Sequence, residues 1–186
     1  MRITAGILKN RVLKGVSSLD LRPTTERVRE AVFSSLLSIT TLEQKKVLEL
    51  YAGSGAMGIE FISRGAASCE FVEKNKKNHK QLIANLELLN IVDKTKTSCC
   101  DSLKFLEKME AKDEKYDLVF VDPPYGQIEC GVFLNLLENA KCLAEDAIVI
   151  FEDNRELKDG FSSFFSLVNV KKYGKTSISF FKYRSN

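Results

Sequence analysis

The sequence predicts an α/β fold, a mostly parallel sheet with helices on both faces, on three observations. Short apolar runs alternate along the chain with segments of helical period. A Gly-Ser-Gly turn joins the first of these runs to a helical segment, and Asp122-Pro123-Pro124-Tyr125 ends the most apolar one. Strand–helix–strand order implies right-handed crossovers, and ligands of such sheets bind at the carboxyl ends of the strands.

Each element follows in order. Residues 3–13 are basic and partly alternating, with Lys9-Asn10 as a turn, and predict a small hairpin. Val28, Ala31, Val32 and Leu36 keep the 3.6-residue period, so residues 25–38 read as a helix that Thr24 or Thr25 can cap. Val47-Leu48-Glu49-Leu50 is a buried-strand run, and residues 56–63 form the helix after the glycine turn. A strand over 68–73 precedes a helix over 75–90, which places Leu82, Leu86 and Leu89 on one face. The same alternation gives a strand at 95–99, a helix at 102–111, a strand at 116–121, a helix at 132–140 and a strand at 147–151. Residues 167–172 and 177–183 flank Tyr173-Gly174-Lys175-Thr176 and close the chain as a hairpin, bringing one antiparallel strand and a total of seven.

Composition narrows the function classes. With 186 residues, 44% hydrophobic and 28% charged, the chain reads as one globular domain over 1–186, residues 1–22 being a basic N-terminal extension. No apolar run approaches the ~20 residues that span a bilayer, and the first residues lack a signal-peptide core, so the expected address is cytoplasmic with no membrane partner. The five cysteines form no CxxC pair and the single histidine is His79, so free thiols and no metal site are expected. Net charge is +3, but residues 1–29 carry seven basic side chains against two acids, +5, and residues 171–186 carry five against none, another +5. The centre therefore sums to 3 − 5 − 5 = −7. Basic ends around an acidic centre point to a polyanion, with Arg2, Lys9, Arg11, Arg22, Arg27 and Arg29 as candidate RNA contacts.

Gly53-Ser54-Gly55-Ala56-Met57-Gly58 matches GxGxxG between a strand and a helix, with Glu73 twenty residues on, where a carboxylate can accept from ribose hydroxyls. Nicotinamide enzymes share that pattern. Glu49 helps separate the two readings: a carboxylate beside the loop repels a pyrophosphate and welcomes the sulfonium and ammonium of S-adenosylmethionine. Asp101, followed by Ser102, can accept from an adenine amino group or cap the next helix. Tyr51, Ala52 and Lys74 flank the same strand ends and complete the cofactor set. Gly174-Lys175-Thr176 ends like a phosphate-binding loop, but Asn169 occupies the place of its first glycine.

Asp122-Pro123-Pro124-Tyr125 carries the chemistry. Two prolines fix the backbone and remove donors, leaving carbonyl oxygens to accept. Asp122 and the Pro123 carbonyl can take both hydrogens of an aromatic amine, favouring its pyramidal form and aiming the lone pair at a sulfonium methyl. Tyr125 can stack on the base. Direct transfer follows, without a covalent enzyme intermediate. No cysteine lies in the proline loop to serve as a carbon-directed nucleophile.

On these motifs the chain resembles the RsmD-type bacterial 16S rRNA guanine-N2 methyltransferases over nearly its whole length. The most specific stretch is Arg22-Pro23-Thr24-Thr25-Glu26-Arg27-Val28-Arg29-Glu30-Ala31-Val32-Phe33. Arg2-Ile3-Thr4-Ala5-Gly6 resembles the family opening, Leu50-Tyr51-Ala52-Gly53-Ser54-Gly55 its cofactor motif, and Tyr173-Gly174-Lys175-Thr176 its closing hairpin. Thr4 departs from the apolar residue or glycine of many relatives. The resemblance implies a Rossmann-like S-adenosylmethionine-dependent fold and methylation of a guanine 2-amino group. The partner it implies is 16S rRNA in a small subunit or assembly intermediate, met by a compact protein expected to be a monomer. Three rivals stand beside it: an adenine-N6 or cytosine-N4 methyltransferase on DNA or RNA, an NAD-dependent reductase, and a non-catalytic RNA-binding assembly factor.

Overall fold

The computed structural model describes residues 1–14, 26–109, 113–124, 126–155 and 161–185. Seven strands form one sheet in the order β3-β2-β1-β4-β5-β7-β6. They are β1 (Lys46–Leu50), β2 (Ser68–Val72), β3 (Thr95–Ser98), β4 (Tyr116–Val121), β5 (Leu143–Asp153), β6 (Phe165–Tyr173) and β7 (Thr176–Tyr183). The pairs β1–β2, β2–β3, β1–β4 and β4–β5 are parallel, and β7 runs antiparallel to both β5 and β6. The α/β sheet and the single antiparallel strand expected from the sequence are both present.

Among the described residues five helices cover the sheet: α1 (Glu26–Leu37), α2 (Ala56–Ser63), α3 (Lys76–Leu88), α4 (Ser102–Met109) and α5 (Cys130–Asn139). Alternation along the central strands assigns two cores. Val47, Phe71, Leu118, Phe120 and Ile150 pack with α1, α2 and α3, while Leu48, Val72, Val119, Val121 and Phe151 pack with α4 and α5. Strands buried on both faces read as continuous apolar runs, which is why β1 and β4 were visible in the sequence. Asn75 caps α3, its Oδ1 accepting from the Lys77 and Asn78 amides.

The N-terminal segment is the small hairpin expected: Arg2 bridges Val12 antiparallel, the Ile3 amide donates to the Arg11 carbonyl at 3.0 Å and the Leu13 amide to the Met1 carbonyl at 2.8 Å. Asn10 takes the positive φ of its turn, 67°. β5 begins at Leu143 rather than near 147, because a register shift between Tyr116 and Leu118 lets the exposed Glu145 and Asp146 bulge out of the strand. The expected caps of α1, Thr24 and Thr25, lie outside the described residues. Cys69, Cys130 and Cys142 are buried as free thiols.

Candidate functional site

The glycine loop leaves β1 through Tyr51, a non-glycine residue at φ 60°, and enters α2 at Gly55. Gly55 has φ 77°, and a Cβ there would sit 2.3 Å from the Leu82 side chain. Gly58 brings α2 against the sheet: a Cβ would meet Phe71 at 2.3 Å and the Glu49 carboxylate at 2.6 Å. At Gly53 nothing lies within 4 Å of a Cβ, so the backbone there borders open space.

Carboxylates already hold this loop. Glu73 Oε2 accepts from the Gly53 amide at 2.8 Å and Oε1 from the Asn75 amide at 2.7 Å. Glu49 Oε2 accepts from the Gly58 amide at 2.7 Å, and the Met57 amide also bonds its carboxyl. Burial pushes the Glu49 pKa up to about 8, with the charge of Glu73 adding to the rise. The amides that a dinucleotide loop offers to pyrophosphate are thus occupied by carboxyl side chains.

Around the open side lie the other expected cofactor residues. Asp101 Oδ1 accepts from the Leu103 amide at 3.0 Å, capping α4, and its other oxygen is 3.9 Å from Lys74 Nζ. Ala52, Ser54 and Ser102 are buried. The half-buried Tyr51 hydroxyl has no hydrogen-bond partner among the described residues, and burial together with Asp101 raises its pKa to about 12. Open backbone at Gly53, an unpartnered phenol and carboxylates at three strand ends fit a cationic nucleoside such as S-adenosylmethionine.

Asp122 follows β4 directly. Val121 pairs with Phe151, so Asp122 stands beside Glu152 across the β4–β5 edge, and both follow residues of the α4–α5 face. Burial, Glu152 and Glu49, in that order, hold the Asp122 carboxyl well above the usual carboxylate range. Pro123 is buried and Pro124 exposed. The Gln127 amide donates to the Pro124 carbonyl at 3.0 Å, and Gly126 turns at φ 76°. Tyr125 lies outside the described residues.

Residues 1–182 match the model of the family described as Conserved hypothetical protein 95, the RsmD family. The chain belongs to that family. Among its RsmD-family relatives is the Ribosomal RNA small subunit methyltransferase D of Escherichia coli K12, 35% identical over 156 residues, covering 84% of this chain and 76% of that one. The solved structure of the Escherichia coli protein yhhF superposes with a TM-score of 0.87 at 30% identity, over 100% of this chain and 99% of that one. An RNA methyltransferase from Salinibacter ruber, solved with S-adenosyl-L-homocysteine, shares the fold at TM-score 0.62 and 14% identity, over 89% and 95% of the chains. The fold is Rossmann-like, as in methyltransferases.

The basic residues divide differently from the sequence expectation. Arg2, Lys9, Arg11 and Arg27 are exposed, and Arg22 lies outside the described residues. Arg29 is not a surface contact. Fully buried, it donates to the Arg2 carbonyl at 2.5 Å and lies 3.5 Å from Glu60. Glu60 is equally buried and also accepts from Thr4 Oγ1 at 2.6 Å, the Ala5 amide at 3.0 Å and Arg64 Nε at 2.9 Å. This hub fixes the opening segment of the RsmD family onto α2, and Thr4, the family departure, is one of its members.

Sequence reasoning missed three residues at the site. Asn85, fully buried on α3, accepts from the Lys14 amide at 3.0 Å and donates to the Ser54 carbonyl at 3.1 Å, tying the N-terminal segment to the glycine loop. Glu152 sits beside Asp122. Arg155 binds both Asp153 oxygens through Nε, at 3.2 and 3.0 Å, and donates to the Ile128 carbonyl in the loop after the prolines. A polar residue inside an apolar run was the available signal for Glu152, whereas Arg155 offered none.

Proposed function

We propose that this protein methylates the exocyclic 2-amino group of a guanine in small-subunit ribosomal RNA, with S-adenosylmethionine as methyl donor. The observation that carries the reading is Asp122. Its carboxyl stands at the carboxyl end of β4, ahead of two prolines and beside a glycine loop lined by Glu49 and Glu73. The rRNA substrate rests on family membership and on relatives named for small-subunit rRNA methylation. A guanine target rests on the RsmD resemblance.

S-adenosylmethionine, when bound, supplies an electrophilic methyl group. The protein supplies position. Glu73 and Asp101 offer acceptors to ribose and adenine, and Glu49 answers positive charge. Asp122 and the Pro123 carbonyl accept the two hydrogens of the target amine, and Tyr125 stacks on its ring. The amine would take the methyl group as its bond to sulfur breaks and S-adenosylhomocysteine leaves, and the proton then released would pass to the Asp122 carboxylate, whose raised pKa suits it to hold one. Positioning of this kind is worth up to ~7–11 kcal/mol.

Asp122→Ala should cut kcat by about 10²–10³, the loss seen when one preorganised hydrogen-bonding group is removed. Binding of S-adenosylhomocysteine, followed by calorimetry, should persist. Mass spectrometry of the nucleosides from treated rRNA should give N2-methylguanosine. N6-methyladenosine or N4-methylcytidine would move the target to another amine, and transfer at the parent rate by the variant would remove the loop from the active site.

A further inference from the structure

Beyond the acidic pocket, the same edge of the sheet carries a cleft of opposite character. The turn between β6 and β7 and the residues after β5 frame a space of about 240 Å³ lined by Asn154, Arg155, Lys172, Lys175, Thr176 and Ser177. Register fixes its place. Asp153 pairs with Ser177, Glu152 with Ile178, and Tyr173 with Thr176, so the turn projects past the edge at which Asp122 leaves β4. Only β5 separates β4 from β7. At ~4.8 Å between neighbouring strands, the cleft begins roughly 10 Å from the catalytic loop, a span one nucleotide bridges from base edge to backbone.

Its charge is positive for a structural reason. Arg155 is held by Asp153 and the Ile128 carbonyl, so that pair shapes the floor and adds no net charge. Lys175 is exposed at the tip of the turn and adds a positive charge, and the exposed Lys172 lines the cleft beside it. Half-exposed Thr176 and Ser177 bring hydroxyl donors, and Asn154 an amide. Lysine ammonium groups with hydroxyl and amide donors make a phosphate-sized site.

We propose that this cleft holds a phosphodiester of the substrate RNA next to the target nucleotide. The proposal rests on the RNA-methylating reading above. The acidic pocket then takes the cationic donor and the amine, and the basic cleft anchors the backbone that presents the base. Phosphate contacts set register and orientation in this way without reading sequence.

The test compares the parent protein with a Lys172→Ala/Lys175→Ala double variant, using purified small-subunit rRNA. The variant should bind RNA about tenfold more weakly, ~1.4 kcal/mol. The slope of log affinity against log salt should shrink by about one to two. S-adenosylhomocysteine affinity should stay at the parent value, and Lys175→Gln, which keeps most of the stem, should show the same selective loss at smaller size. A fragment carrying the modified guanine is then made with single uncharged methylphosphonate linkages. The parent should lose affinity at a linkage adjoining that guanine, and the double variant should be insensitive there. Unchanged affinity and slope, or a sensitive linkage far from the guanine, overturns the proposal. RNA that binds through these lysines without being methylated sinks the functional reading and leaves the cleft as a phosphate site.

Discussion

Glu49 is 3% exposed, and the Gly58 amide is bonded to its carboxyl where α2 meets the sheet. Its folded-state pKa of about 8 exceeds the ordinary 4.5, so between those values the folded state binds more protons than the unfolded one. Stability attributable to Glu49 is therefore full below about pH 4.5 and declines by up to ~1.4 kcal/mol per pH unit until about pH 8. Glu49→Gln keeps the acceptor oxygen and should flatten this part of the pH–stability curve in denaturant titrations. A bound sulfonium favours the ionised carboxylate, so affinity for S-adenosylmethionine should rise with pH up to about 8, more steeply than affinity for uncharged-sulfur S-adenosylhomocysteine. Parallel profiles for the two ligands would place Glu49 outside the reach of the cation. At this scale the candidate site was legible where chemistry follows a motif: Gly53, Glu73 and Asp122 all stand at strand ends. Arg29 was misread although its period was informative. Arg29, Val32, Phe33 and Leu36 form one buried stripe, and spacing outranks charge in deciding which face a residue joins.

Helix α2 was legible to the residue, and the physics behind it lies in contacts far apart in the chain. Its buried Glu60 looks out of place among Met57, Ile59, Phe61 and Ile62 until the N-terminal segment is docked on it. Gly6 makes that approach possible: a Cβ would lie 1.8 Å from the Ser63 carbonyl oxygen, and its φ is 80°. Ser63 then donates to the Ala5 carbonyl at 2.5 Å and its hydroxyl accepts from the Leu8 amide at 3.0 Å. No local propensity encodes such a clamp, so the sequence suggested the small hairpin but not the helix face on which it is pinned. Element ends failed for a similar reason at β5, whose first residues are held by β4 and not by apolar alternation. Glu60→Gln leaves the Arg29 charge buried without its counter-ion and should cost ~3–5 kcal/mol. For a domain of this size the melting temperature should fall on the order of 10 °C. Adding Arg29→Met should restore part of the loss. A Glu60→Gln protein with unchanged melting would show that the hub is held by its neutral hydrogen bonds alone.

Over the whole molecule, charge is sorted by location. Carboxylates gather at the strand ends near the glycine loop, while cations gather on the opening loop, on α1 and at the β6–β7 turn. The sorting was visible in the sequence as basic ends around an acidic centre, but only the fold brings both ends into relation with the sheet edge that carries Asp122. An RNA bound across such a surface releases counter-ions in proportion to the phosphates neutralised, so log affinity should fall linearly with log salt at ~0.9 per contact for a duplex and ~0.7 for a single strand. Arg11 is exposed, with Nη2 3.3 Å from the Leu88 carbonyl, and Arg27 is exposed on α1. Arg11→Glu or Arg27→Glu should each lower the slope by about one and weaken RNA binding without altering S-adenosylhomocysteine affinity. Arg29→Met should leave the slope at the parent value, because a fully buried guanidinium neutralises no phosphate; its effect should appear in melting temperature instead. The contrast is measured by fluorescence anisotropy on one RNA at four or more salt concentrations. A slope that falls for Arg29→Met as much as for Arg11→Glu would mean that the opening loop lifts away on binding and delivers the buried arginine to the RNA.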